Sequence, residues 1–137
     1  MRKILLSFLL LGTFCFGTTG YKDFSWGTSK SKIIAKYGKD YVANNNSIIY
    51  TKFNFDGVTL KMTFVFQDEK LFGWSGSGIV ENEEGDKLID QYRKKYNGKL
   101  EEIGSAYRYD DTKGIIAFGS QKLKTGRTMI SFACEMK

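Results

Sequence analysis

The sequence predicts an α+β fold in which a tandem αβββ repeat forms an antiparallel sheet of about six strands, with two helices packed on one face. Three observations support this expectation. Two segments carry apolar residues at helical spacing, several runs alternate apolar and polar residues, and the order of helix and strands occurs twice, in repeat halves of about residues 24–80 and 82–137. Regular alternation is typical of a sheet with one covered and one open face.

The first helix is expected to begin near Thr28 or Ser29, because either side chain can accept a hydrogen bond from a free N–H of the first turn. Its apolar stripe, at three- and four-residue spacing, consists of Ile33, Ile34 and Tyr37. Gly38 follows the stripe and can take the positive φ with which many helices end. The pattern therefore predicts a short amphipathic helix that stops at this glycine.

The second helix has a clearer charge pattern. Asn82 is a suitable N-terminal cap, and Gly98 is expected to end the helix. Acidic residues in the first turn oppose the positive end of the helix dipole, and basic residues in the last turn oppose its negative end. The acidic residues are Glu83, Glu84 and Asp86, the basic ones are Arg93, Lys94 and Lys95, and the apolar stripe is Leu88, Ile89, Tyr92 and Tyr96.

Period-two alternation predicts the strands, and Asp56-Gly57 predicts a tight hairpin turn between the first two. The inward positions of these two strands are expected to be Ile49, Thr51, Phe53 and Phe55, then Val58, Leu60, Met62, Phe64 and Phe66. The open face would then carry Tyr50, Lys52, Thr59, Lys61 and Thr63. In the second half, one strand face is expected to hold Ile103, Tyr107 and Tyr109, and residues 128–135 are expected to close the sheet.

Residues 1–20 are typical of an export signal. Basic Arg2 and Lys3 precede a long apolar run, and small residues follow it. This order predicts a cleaved signal peptide over residues 1–20 and a single mature domain over residues 21–137, in a periplasmic or secreted location. No second long apolar stretch is present, so we expect no transmembrane segment in the mature chain.

Two cysteines accompany this signal. A lipid anchor on Cys15 is less favoured, since Phe14 stands where a lipoprotein signal requires a small residue. The mature chain keeps only Cys134, which alternates with apolar Ile130 and Phe132. We therefore expect Cys134 to be a buried free thiol, and packing alone to hold the domain together.

The composition disfavours several classes of function. The chain has 137 residues, of which 15% are aromatic, and this predicts a folded core. It contains no histidine, so the commonest general base and metal ligand is missing. We expect no catalytic residues, no cofactor and no metal site. The net charge of +6 favours anionic surfaces, but nucleic acid is not an expected partner of an exported protein.

Trp74 lies in a run rich in glycine and serine, over residues 73–78. The run lacks the Lys-Ser/Thr pair of a phosphate-binding loop, and glycines inside a strand mark a bulge, a bend or the close approach of another backbone. Trp74 itself fits either of two roles, a plug of the core or an anchor in a partner-binding groove.

A short segment resembles known proteins. Phe24-Ser25-Trp26-Gly27, followed by an amphipathic helix, resembles the opening of small exported bacterial proteins without assigned activity. The order of helix and strands is similar to the β-lactamase-inhibitor-protein-like class of folds, which includes a small lipoprotein of the outer-membrane barrel-assembly machinery. The resemblance implies a non-enzymatic protein that binds other proteins, and it carries over no functional residues.

We therefore expect an exported, non-catalytic binding protein that contacts a protein partner through the open sheet face or the groove near Trp74. The candidate contact residues are Trp74, Tyr50, Lys52 and Lys61. An alternative is a binder of an anionic glycan or lipid of the cell envelope through surface lysines. A second alternative is a small hydrolase whose site the sequence patterns do not show.

Overall fold

The computed structural model of the chain describes residues 18–96 and 99–137. In chain order the elements are β1 (Gly20–Tyr21), β2 (Phe24–Ser25), α1 (Lys30–Tyr37), β3 (Val42–Asn44), β4 (Ser47–Phe55), β5 (Val58–Gln67), β6 (Lys70–Glu81), α2 (Asn82–Lys95), β7 (Glu101–Ile103), β8 (Ala106–Asp110), β9 (Gly114–Lys122) and β10 (Arg127–Met136). The fold is thus α+β, as the sequence predicts.

The main sheet has eight antiparallel strands in the order β3-β4-β5-β6-β10-β9-β8-β7, and β1 and β2 form a separate two-stranded sheet. The expectation of about six strands was therefore wrong. The additional strands β3 and β7 lie at the two edges and have three residues each, which is too short to show alternation. Ile103 also belongs to a different strand from Tyr107, since Gly104 turns the chain between them at φ +63°.

The first helix confirms the predicted stop. It runs over Lys30–Tyr37, with Ser29 at the cap position and Gly38 at φ +96°. Ser29 makes no side-chain capping hydrogen bond, so the expected contact with a first-turn N–H is not formed. The N–H of Gly38 donates to the carbonyl oxygen of Ile34, which completes the last turn.

The second helix confirms the predicted buried stripe and the basic last turn, but of the three predicted acidic residues Asp86 lies beyond the first turn. It begins one residue earlier than expected, with Glu81 at the cap position, and Asn82 instead accepts a hydrogen bond from the Thr128 hydroxyl at 2.6 Å. Leu88 and Tyr92 are buried against the sheet. The predicted stop at Gly98 lies outside the described residues.

Both helices cover the same face of the main sheet. The Tyr37 ring of α1 lies 4.8 Å from the ring of Phe53, and the Tyr92 ring of α2 lies 4.7 Å from that of Phe132. Phe55 contacts Phe132 at 4.9 Å and joins the two groups into one core. We call this side of the sheet the helix face and the other side the open face. No helix in the described part of the chain is long and apolar enough to span a bilayer.

A β-bulge in β4 reverses the predicted faces of its first half. The register jumps from Tyr50 opposite Met62 to Phe53 opposite Leu60, so two residues of β4 oppose one of β5. Ile48 and Tyr50 are therefore buried on the helix face, although the sequence alternation assigned Ile49 and Thr51 to it. The hairpin turn that follows is as predicted, with Asp56 at φ +51° and the next glycine at φ +92°.

Candidate functional site

The open face has a floor of small side chains along its three central strands. Strand alternation places seven small residues on the side away from the helices. They are Gly73, Ser75 and Ser77 of β6, Ser131 and Ala133 of β10, and Ala117 and Gly119 of β9. Ser77, Ser131 and Gly119 stand in one register row, and Ser75, Ala133 and Ala117 in the next. Gly73 stands opposite Glu135, whose longer side chain borders that end of the floor. We call this floor the central trough. Because its central positions carry only short side chains, another chain can approach the sheet closely there.

Two depressions make up the trough. One has a volume of about 370 Å³ and includes Ser77 and Ser131, and the other has about 400 Å³ and includes the apolar side chains Val65 and Phe72. Their linings share Ser75, Ala117 and Ala133, so they form one continuous surface. One part of the trough therefore offers hydroxyl groups, and the other offers apolar area bordered by Glu135.

Two lysines stand together at one side of the trough. The bulge sets Thr51 and Lys52 together opposite Lys61, and both lysines are exposed. Lys61 begins a row of paired positions that continues across the trough through Ser77 and Ser131 to Gly119. Within residues 18–96 and 99–137, no carboxylate forms an ion pair with either lysine. This side of the trough is therefore positively charged without internal compensation.

On the opposite side of the trough the charged side chains form ion pairs with one another. Asp110 of β8 accepts a hydrogen bond from Arg108 at 2.9 Å and also pairs with Lys137. Hydrogen bonds from Lys137 and from Arg108 lower the pKa of the Asp110 carboxyl. Arg108 and Lys137 thus share the carboxylate of Asp110, whereas Lys52 and Lys61 form no ion pair within the described residues.

An exposed apolar pair borders the trough at the end nearest α2. Ile79 of β6 stands directly opposite Met129 of β10, and the two side chains are 50% and 42% exposed. Met129 also lines the 370 Å³ depression. Side chains of this size next to a polar floor give the surface the mixed character of a protein–protein interface.

Only two of the four predicted contact residues lie on the open face. Lys52 and Lys61 do, but Tyr50 is 5% exposed on the helix face, where its hydroxyl donates to the Gly38 carbonyl oxygen at 2.7 Å. Its predicted place on the open face was wrong, because the bulge shifts the alternation. Trp74 is 4% exposed and fills the core, so of its two predicted roles the structure shows the plug. It borders the 400 Å³ depression without offering its ring to solvent.

Sequence patterns contained a signal for the floor that the prediction missed. Arg127–Met136 alternates strictly between exposed and buried positions over its first eight residues, and its open-face residues include the small Ser131 and Ala133. The run over residues 73–78 has the same character. Two adjacent strands with small residues at their central outward positions indicate a trough, but their adjacency depends on the strand order.

A cluster of titratable groups lies on the helix side, away from the trough. Asp56 accepts hydrogen bonds from Lys22 at 2.6 Å and from the Tyr92 hydroxyl at 3.3 Å, and Lys95 lies over the Tyr92 ring at 4.3 Å. Burial raises the pKa of Tyr92 and lowers that of Lys95. Each oxygen of Asp56 is thus engaged, and the cluster acts as an internal polar contact between α2 and the β4–β5 turn.

The thiol of Cys134 is buried on the helix face, as predicted. Burial raises its pKa to about 12, so it remains protonated and unreactive near neutral pH. In the described ranges 18–96 and 99–137, no three His, Cys, Asp or Glu side chains are grouped closely enough to hold a metal ion.

The geometry therefore describes an α+β domain with a small-residue trough and an uncompensated lysine pair. No protein-family model, curated protein or solved structure matches the chain. The resemblance to the β-lactamase-inhibitor-protein-like class stays a prediction.

Proposed function

We propose that the protein is an exported, non-catalytic binding module that holds an acidic segment of a protein partner on its open face. The observation that carries the proposal is the pair Lys52 and Lys61, which forms no ion pair in the described part of the chain and stands beside a floor of small residues. A partner's carboxylates would pair with the lysines while its backbone lies along the serines of the trough. The exposed pair Ile79 and Met129 would add apolar contact.

Charge and shape together favour a protein over an envelope glycan or lipid. An anionic glycan or lipid headgroup would use the two lysines but has less use for the apolar side chains at Val65, Phe72 and Met129. A protein segment can combine acidic and apolar side chains in one interface. Binding to an anionic lipid or glycan would be the alternative outcome of a binding experiment.

We also infer that the two halves of the domain are tandem repeats of one unit. Each half supplies one helix and four strands, and the halves meet where β6 pairs with β10. The trough lies across this junction, because its floor comes from β6 in one half and from β9 and β10 in the other. A binding surface at the junction would thus require both halves.

The test is recovery of partners from an envelope fraction with purified protein as bait. Lys52→Glu/Lys61→Glu and Ser131→Trp should each lower the recovery of the bound protein about tenfold, which corresponds to about 1.4 kcal/mol. The matched control is Lys32→Glu/Lys36→Glu on exposed positions of α1, which changes the charge equally on the opposite side. The control variant should recover as much partner as the wild type.

Two results would contradict the proposal. One is equal loss in the control variant, since this would show a response to net charge alone. The other is binding of the wild type to anionic phospholipid vesicles or to acidic glycan, with the same dependence on Lys52 and Lys61, and with no protein recovered. Vesicle and glycan binding are measured beside the recovery experiment in the same buffer and salt.

A further inference from the structure

Residues 18–21 are a packed part of the domain. Thr18 is 1% exposed, and its hydroxyl donates to Oδ1 of Asp111 at 2.5 Å. Its carbonyl oxygen accepts a hydrogen bond from the indole N–H of Trp26. The backbone N–H of the same tryptophan donates to the carbonyl oxygen of Thr19 at 2.8 Å. These contacts attach the segment both to β2 and to the turn that precedes β9.

The next two residues reach the centre of the core. The buried indole N–H of Trp74 donates to the carbonyl oxygen of Gly20 at 2.9 Å. Tyr21 is 2% exposed, and its ring lies 5.0 Å from that of Trp74. The backbone is so close at Gly20 that an added Cβ would lie 2.0 Å from the carbonyl oxygen of Phe24. Residues 18–21 thus fit the domain as an internal element.

Cleavage after Gly20, as residues 1–20 predict, would remove these contacts. The indole N–H groups of Trp26 and Trp74 would lose their acceptors, and the second of these donors is buried. The new α-ammonium group would be the backbone nitrogen of Tyr21, a residue that is 2% exposed. A charge at so buried a residue is unfavourable unless it is paired. The structure therefore argues against a mature chain that begins at Tyr21.

We infer that the export signal is cut between Gly17 and Thr18, so that the mature chain begins with Thr18. The inference relies on the proposed export of the protein. Signal cleavage favours small residues at the first and third positions before the cut bond, and Gly17 and Cys15 stand there. A cut at this bond keeps every hydrogen bond described above.

The carboxylate of Asp111 is placed to receive the new terminus. Its Oδ1 already accepts from the Thr18 hydroxyl, so the α-ammonium group of the same residue would form close to it. Burial acts to raise the pKa of Asp111, but hydrogen bonds from Thr18 and from the N–H groups of Lys113 and Gly114 lower it overall. Asp111 thus supplies a stable negative charge at the position where cleavage creates a positive one.

The test is intact-mass and N-terminal peptide analysis of the full chain, expressed with its own N-terminus in a bacterial host and recovered from the envelope and the medium. We expect a mature chain that begins at Thr18. We also expect Gly17→Leu to accumulate uncleaved, because it places a large residue directly before the bond. A cut after Gly20 would tolerate this substitution, since position 17 would then lie outside the two small-residue positions.

A chain cut at a different bond, such as one that begins at Tyr21, would overturn the inference and leave the export proposal intact. A diacylglyceryl group on Cys15 would do the same. Normal processing of Gly17→Leu would also count against the cut. A wild-type chain that keeps Met1 would overturn the export proposal and the cut together.

Discussion

At the scale of single residues, Trp74 shows how one side chain joins the parts of this domain. Its indole N–H reaches the N-terminal segment at Gly20, and its ring packs 5.0 Å from Tyr21 and 5.8 Å from Phe55. The residue stands on β6, the strand at which the first half of the chain meets the second. Trp74 is therefore a structural residue of the core.

Trp74→Phe should lower the free energy of unfolding by about 2–4 kcal/mol, because it removes a buried hydrogen bond and leaves a cavity. The measurement is urea denaturation followed by circular dichroism. Lys61→Ala on the open face is the control and should change stability by less than about 0.5 kcal/mol. Equal stability of Trp74→Phe and the wild type would contradict the assigned role.

Cys134 gives the domain a specific dependence on pH. Its pKa is raised to about 12 by burial, whereas an unfolded thiol ionises near pH 8.5. As the pH rises, the thiol therefore loses its proton in the unfolded state first. Its contribution to the free energy of unfolding is complete below about pH 8.5 and is lost progressively up to about pH 12.

Between pH 8 and pH 10 the wild type should lose about 1–2 kcal/mol more stability than Cys134→Ala, which has no thiol to ionise. The comparison uses urea denaturation in the presence of a reducing agent. The two proteins are compared by the slope of their free energy of unfolding against pH. Absolute values are not comparable, because the alanine variant also has a cavity that lowers its stability at every pH. Parallel slopes for the two proteins would show that the thiol ionises equally in both states.

At the scale of elements, the bulge in β4 decides which side chains reach the core and which reach the trough. It moves Tyr50 inward and sets Lys52 beside Lys61 on the open face. Without it, β4 would present one uninterrupted alternation and the face of its first half would be reversed. The bulge thus produces both the packing of α1 on Tyr50 and the local excess of positive charge.

Ile48→Lys should destabilise the protein by more than about 3 kcal/mol, because it places a charge on the helix face. Ile49→Lys, at the neighbouring half-buried position on the open face, should cost less than about 1 kcal/mol. Thermal and urea unfolding of the two variants measure the difference. The simple alternation of the sequence predicts the opposite order, so a more stable Ile48→Lys would contradict the bulge.

The elements that depend on local signals could be predicted from the sequence. The stop of α1 at Gly38, the charge pattern of α2 and the turn at Asp56 follow from neighbouring residues alone. The bulge could not be predicted, because Ile49 and Thr51 fit a strand on either face. The edge strands β3 and β7 form only because longer strands pair with them.

The candidate site could be predicted only in part, because some of its residues follow local patterns and others come together through the pairing of distant strands. Lys52 and Lys61 lie at polar positions of strands with clear alternation, so their exposure could be predicted. The role of Ser77 and Ser131 depends on the pairing of β6 with β10, which joins residues more than fifty positions apart. No local pattern reports such a pairing. Trp74 illustrates the same limit, since its acceptor lies 54 positions away in the chain.

At the scale of the whole molecule, the two halves are joined through one sheet and one core. Nine residue pairs align β6 with β10, and Phe55 of the first half stacks on Tyr92 of the second at 6.0 Å. The helices cover one face, and the trough on the other face crosses the junction. The domain therefore presents a single extended open face, with the exposed lysines Lys52 and Lys61 at one side.

The most direct test of this account is photo-cross-linking in the cell that expresses the protein. Gln121→benzoylphenylalanine places the reactive group at the border of the 370 Å³ depression, beside Met129, and Lys36→benzoylphenylalanine places it on α1, on the other side of the molecule. We predict a protein adduct from position 121 that disappears when Lys52→Glu/Lys61→Glu is added, and no adduct from position 36. Equal adducts from both positions, or none from position 121, would contradict the central claim that the open face binds a protein partner.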